Sequence, residues 1–217
     1  MSFGTPEMWV PRTLPPDAQA ASRLREWMEG GGKGGLDIIG LDLSDADLSG
    51  GDFSESWFTD AKLINTKLIG ADLYRSDAEG ADFTSADLTR ASLVRVNFDD
   101  SFLREAKLDE ANLVKASLCD VDASGASFRG TRFMGASLLD VNLRGADLSG
   151  AVLQENSFKV TLDNNTKLRG LSGTLFGPVQ LIDLGVTREL GGADLEQWLR
   201  ARGGDICVLS SRGRERP

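Results

Sequence analysis

The sequence predicts an all-β solenoid, a chain of short extended stretches joined by corners, with each coil hydrogen bonded to the next. Three observations carry this. From residue 36 to residue 160 the chain falls into consecutive fives without an insertion, LDIIG LDLSD ADLSG GDFSE SWFTD and onward to NSFKV. The third residue of each pentad, from Ile38, Leu43, Leu48 and Phe53 to Phe158, is Leu at 15 of 25 positions and Phe at seven, the others being Ile38, Ala78 and Ala123. The fifth residue is Gly, Asp, Asn or Ser at 16 of the 25 positions, and these residues favour turns. A period of five suits neither a long helix nor a long strand. It suits an extended stretch and a corner. The first and third residues then point inward while the second points out. The first position is correspondingly small, Ala in 13 of 25 pentads.

Each segment follows from the same reading. Residues 1–35 hold Pro15 and Pro16, an N-cap at Asp17 and a helical run through Met28, a pattern that opens a helix. Leu24, Trp27 and Met28 are expected to cover the first coil, because a solenoid must close its ends. Residues 36–160 form the rod, with Leu103 inward and Asp100 at a corner. Ala78 and Ala123 are each followed one pentad later by Phe83 and Phe128, which supply the missing core volume. Residues 161–217 form a C-terminal segment. Its register decays toward a last pentad at 166–170, and a hairpin follows at 178–183 and 186–190 around Leu184-Gly185. A short helix spans 193–201, with Leu195, Trp198 and Leu199 on one face, and a strand spans 205–210. The tail SRGRERP is basic. The segment 171–210 is expected to cap the last coil or to join two copies as a homodimer.

Composition narrows the function. The chain has 217 residues, no histidine and two isolated cysteines. The usual general base and the commonest metal ligand are therefore missing, and no disulfide framework exists. That favours a reducing cytoplasm and a protein that is not an enzyme, with no cofactor and no metal. A net charge of -9 disfavours direct nucleic acid binding and anionic membranes and favours a cationic partner. Two motif-like stretches have plainer readings. EGGGKGG (29–35) lacks the spacing of a phosphate-binding loop and reads as a link from cap to coil. DADLSGGDFSES (45–56) ends in Ser56 where a calcium loop needs Glu. Cys119 falls on an outward position.

Sorted by period 20, the pentads make four sides. The side beginning at 36, 56, 76, 96, 116, 136 and 156 carries Asp37, Asp60, Asp77, Glu79, Asp99, Asp100, Asp120 and Asp140 against the single base Lys159, a net of -7. The other three sides come to -2, -1 and 0 over the repeat. This acidic face is the candidate partner-binding site. A second candidate is the outward apolar column Tyr74, Val94, Val114 and Met134, which would stack along another side as a docking strip.

The A(D/N)LXX pattern, seen in ADLSG (46–50), ADLYR (71–75), ADFTS (81–85), ANLVK (111–115) and ADLSG (146–150), resembles the pentapeptide-repeat family. The resemblance implies a right-handed quadrilateral β-helix of about six coils, one pentad per side, roughly 29 Å long at the usual ladder spacing. Some members of that family mimic DNA, bind DNA gyrase or topoisomerase IV, and protect them from topoisomerase poisons, a route to antibiotic or self-resistance. By that resemblance the acidic face would occupy a DNA-binding saddle. The alternative is an interaction scaffold or immunity-type protein for another cationic protein.

Overall fold

The computed structural model describes residues 9–32 and 34–209, and over them the pentads wind into a four-sided rod. Lys33 of the glycine-rich stretch and the basic tail 211–217 lie outside the described residues. Helix α1 (Ala18–Glu29) starts where Asp17 Oδ1 accepts the Ala20 N–H at 2.8 Å. Its Leu24 is fully buried. Trp27 stacks on Phe53 with ring centroids 5.8 Å apart, and Trp9 meets the same ring edge-on at 5.3 Å. The helix therefore closes the first coil, as expected of it. Beside it, Thr13 bridges antiparallel to Asp47 and occupies the open edge of another side.

Along the rod, residue i pairs in parallel with residue i+20, from Asp37 with Trp57 to Asp147 with Lys167. The hydrogen bonds of one side show why five residues suffice. Phe102 N–H donates to Ala81 O at 3.0 Å, Leu103 N–H to Asp122 O at 2.8 Å, and Glu105 N–H to Ser124 O at 3.0 Å. Ala106, the first residue of the next side, donates to Leu103 O at 3.1 Å and closes the corner. This pattern satisfies four of every five N–H groups and leaves the fourth residue's. The second residue supplies that partner. The Oδ1 atoms of Asp42, Asp72 and Asp82 accept the N–H groups of Ser44, Tyr74 and Thr84, each at 2.9 Å. The abundant second-position Asp thus completes the backbone accounting.

The corners take the left-handed conformation, with φ of +59° at Asp100 and +57° at Asp120. Gly, Asp and Asn adopt it at least cost. Inward positions are sealed, Leu103, Phe83 and Phe128 among them at 0–1% exposure. Three hydroxyls at the first position are also buried and reach the third-position carbonyl of the coil below. Thr66 Oγ1 donates to Leu43 O at 2.9 Å, Ser76 Oγ to Phe53 O at 2.7 Å and Thr131 Oγ1 to Leu108 O at 2.6 Å. Asn156 donates from Nδ2 to Phe133 O in the same way.

The named strands gather toward the C-terminal end: β1 (Ser117–Cys119), β2 (Ser137–Asn142), β3 (Val152–Asp163) and β4 (Ser172–Phe176). One sequence expectation is corrected here. Val160 is not a pentad corner. The ladder steps from Leu139 with Lys159 to Val141 with Val160, and Val160 is buried. A β-branched residue resists the left-handed corner and gains by turning inward. The side at 156–159 is one residue short, and the next, 160–165, is one residue long. Asp163 holds that longer turn, with Oδ1 accepting Gly145 N–H at 3.0 Å, Asn165 N–H at 3.0 Å and Thr166 N–H at 2.9 Å. Lys167 is back in register opposite Asp147.

Pairing continues into β4, where Ser172 lies opposite Val152. A Cβ on Gly173 would stand 1.7 Å from Leu153 O, so only glycine fits. Strands β5 (Val179–Asp183) and β6 (Val186–Leu190) form the hairpin read from the sequence, turning at Leu184-Gly185. Helix α2 (Gly192–Arg200) buries Leu195, Trp198 and Leu199, and β7 (Asp205–Leu209) lies parallel on β4. Glu196 of α2 accepts the Val208 N–H of β7 at 2.7 Å.

Two predictions test this accounting. Ser101 Oγ is buried without a partner, whereas Thr131 Oγ1 has one. Thr131→Val should therefore lower stability by about 1 kcal/mol while Ser101→Ala leaves it unchanged or raises it, read by denaturant unfolding. The second prediction concerns Asp163. Burial raises its pKa, but hydrogen bonds from Gly145, Thr166 and Asn165 outweigh burial and leave it below the ordinary value. A lowered folded pKa adds stability above the unfolded pKa of about 3.9, lost as pH falls through the folded value. Asp163→Asn should melt earlier than the parent at neutral pH, and the gap should close below about pH 4.

Candidate functional site

The eight acids of the acidic face do not form one uniform surface. They occupy three outward positions of the pentad, and their chemistry differs by position. Asp37 and Asp77, at second positions, spend one oxygen on the N–H groups of Ile39 (3.3 Å) and Glu79 (3.2 Å). Asp99, at a fourth position, is half-buried and works for the coil above. Its Oδ1 accepts Cys119 N–H at 2.8 Å and Ser117 Oγ–H at 2.6 Å. It stands in where Ser117 replaces the usual second-position Asp. Asp109 does the same for Ser127 and Arg129 on another side.

The corner residues Asp60, Asp100, Asp120 and Asp140 and the fourth-position Glu79 are exposed. Asp100, Asp120 and Asp140 fall on consecutive coils with φ of +59°, +57° and +57°. They form a row spaced by about one ladder step of 4.8 Å. Lys159 Nζ reaches Asp140 at 2.7 Å. That hydrogen bond, and then the charges of Asp140, Asp120 and Glu189, raise the lysine's pKa.

The apolar column is less open than its sequence suggests. Tyr74, Val94, Val114 and Met134 do stack on successive coils, but each is half-buried. Arg75 lies 5.6 Å from the Tyr74 ring centroid and Arg132 Nη2 lies 3.7 Å from Met134 Sδ. The stretch 45–56 touches all four sides, and its Asp47 and Asp52 accept the N–H groups of Ser49 and Ser54 as ordinary turn residues.

Sequence reasoning that counted only charge missed two residues on the acidic face. Trp57 is 47% exposed and Ile39 is 52% exposed. Trp57 occupies the second-position column, where its paired neighbours are Asp37 and Asp77. Scanning that column for an apolar outlier would have found it.

Pentapeptide repeats match this chain in 8 copies over residues 42–77, 66–104, 86–122 and 101–140. The chain belongs to the pentapeptide-repeat family. Among solved structures it is similar to HetL, a pentapeptide-repeat protein involved in heterocyst differentiation regulation from the cyanobacterium Nostoc sp. strain PCC 7120. That match has 26% identity, covers 66% of this chain and 75% of HetL, and has a TM-score of 0.50. It is also similar to Rfr23 from the cyanobacterium Cyanothece 51142, at 20% identity over 67% of this chain and 96% of the other, with a TM-score of 0.46. Full-length QnrB1, a plasmid-mediated fluoroquinolone resistance protein, matches at 16% identity over 80% of this chain and 92% of its own, with a TM-score of 0.39. No curated protein matches the sequence. Among the described residues, no helix of this pentapeptide-repeat protein is long and apolar enough to cross a membrane.

The division of labour among the acids is testable by stability alone. Asp99→Ala should strand the Cys119 N–H and lower the melting temperature. Asp120→Gly should leave it unchanged or raise it, since glycine accepts the left-handed corner freely.

Proposed function

We propose that this pentapeptide-repeat protein is a non-enzymatic DNA mimic that binds a type II topoisomerase through its acidic face and modulates it or protects it from poisons. The observation that carries the reading is the row of corner carboxylates, Asp100, Asp120 and Asp140, with Asp60 two coils further along the same column. A rigid line of negative charge at about 4.8 Å per step approaches the roughly 3.4 Å per phosphate of one DNA strand. Such a line is drawn to a cationic DNA-binding saddle by the attraction that draws DNA there. The likeness to HetL favours a second reading, a regulatory scaffold whose cationic partner is not a topoisomerase.

A supercoiling assay with and without a topoisomerase poison separates them. The triple variant Asp100→Asn, Asp120→Asn and Asp140→Asn removes the row while keeping residues that suit a left-handed corner. Glu55→Gln, Glu105→Gln and Glu155→Gln change the total charge equally at corners of other sides. The first triple should lose inhibition or protection and the second should keep it. Parental activity should also weaken steeply with salt. Equal losses would assign the effect to overall charge, and no effect from the parent protein would leave the scaffold reading.

The homodimer belongs to the same proposal. Leu184 and Val186 at the hairpin tip are 98% and 65% exposed, and a second copy would cover them. Leu184→Asp should then halve the mass measured by light scattering, and an unchanged mass would remove the dimer.

A further inference from the structure

Trp57 costs the fold something and returns little to it. As a second-position residue it has no oxygen to offer the Thr59 N–H, the service that Asp37 and Asp77 give their own turns. Its side chain points out, and 47% of its surface is exposed. Phe102 is the other aromatic at a second position, and Arg104 covers it with the guanidinium carbon 4.5 Å from the ring centroid. Among the described residues, no guanidinium or ring stacks on Trp57 in that way. Ile39, also on this face, is 52% exposed. The face is therefore acidic with an uncovered apolar spot near its N-terminal end.

The surroundings specify what would cover that spot. Asp37 and Asp77 pair with Trp57 on the coils below and above, so a carboxylate-bearing residue lies one strand spacing, about 4.8 Å, along the column on each side. Oδ1 serves a turn in both residues, and Oδ2 is not engaged in those bonds. An indole face flanked by carboxylates matches a planar cation that stacks on the ring and donates to both sides. Arginine has that shape and lysine does not. DNA mimicry by charge alone would need no indole. We infer that Trp57, supported by Ile39, is the anchoring contact for an arginine side chain of the protein partner. The inference rests on the reading of this side as a protein-binding face, but not on the partner being a topoisomerase.

The test uses the full chain and two probes of equal length and charge, an oligoarginine and an oligolysine peptide, with purified gyrase heterotetramer as a third. The parent protein should bind oligoarginine about 3- to 30-fold tighter than oligolysine. Trp57→Ala should abolish that preference by weakening only the arginine peptide, and Trp57→Phe should keep part of it. Circular dichroism should be unchanged in both variants. The corner triple should weaken both peptides alike. Oligoarginine binding unchanged in Trp57→Ala, or no arginine preference in the parent, overturns the anchor. Gyrase binding that survives Trp57→Ala but not the corner triple overturns the anchor and leaves the topoisomerase reading standing. An arginine preference that Trp57→Ala removes, in a protein that does not bind gyrase, supports the anchor and removes the topoisomerase reading.

Discussion

The constraint on which this molecule depends is the fate of one N–H in five. Pairing with neighbouring coils satisfies three backbone donors per side and the corner bond a fourth, which leaves the fourth residue's N–H without a backbone acceptor. An unpaired donor repeated on every side would be an accumulating cost. A carboxylate or amide two residues earlier removes it. Much of the protein's acidity therefore belongs to the fold, spread over all four sides by the requirements of the turn. Surface charge becomes informative about partners only after these structural acids are set aside. What then remains on the acidic side is concentrated at the corners.

The same separation explains what was legible in the sequence. The pentad period, the inward Leu and Phe, the cap at Asp17 and the hairpin at Leu184-Gly185 were readable because each is a local pattern with one physical meaning. Val160 was not readable. On the pentad grid it is a corner, and only competition between the left-handed conformation and burial moves it inward. Sorting charge at period 20 gathers the eight acids on one side but weights them equally. That Asp99 serves the coil above, while Asp120 serves no turn, depends on Ser117 being serine. Such substitution across a coil involves residues 18 or 20 apart and has no local signature. Trp57 was missed for a simpler reason: the count considered charge and not exceptions to the column.

The two ends of the rod are closed by different means. At the start, α1, Trp9 and Trp27 cover the first coil's core, and Thr13 takes up one strand edge. At the finish, the insertion between β4 and β7 carries α2 over the last coil, and Glu196 satisfies a backbone donor of the outermost strand. An open parallel ladder is a template for further strands, so both devices limit growth.

The compensated slip at residues 156–165 has a consequence for how such a chain can change over evolutionary time. Ten residues still make two sides there, so every later side keeps its compass bearing. Loss or gain of a single uncompensated pentad would turn everything beyond it by one quarter and deal the acidic corners to a different direction. Whole coils can be added or removed with the bearings kept, at twenty residues a time. Lengthening therefore comes in discrete quanta, and the orientation of a surface is inherited separately from its extent.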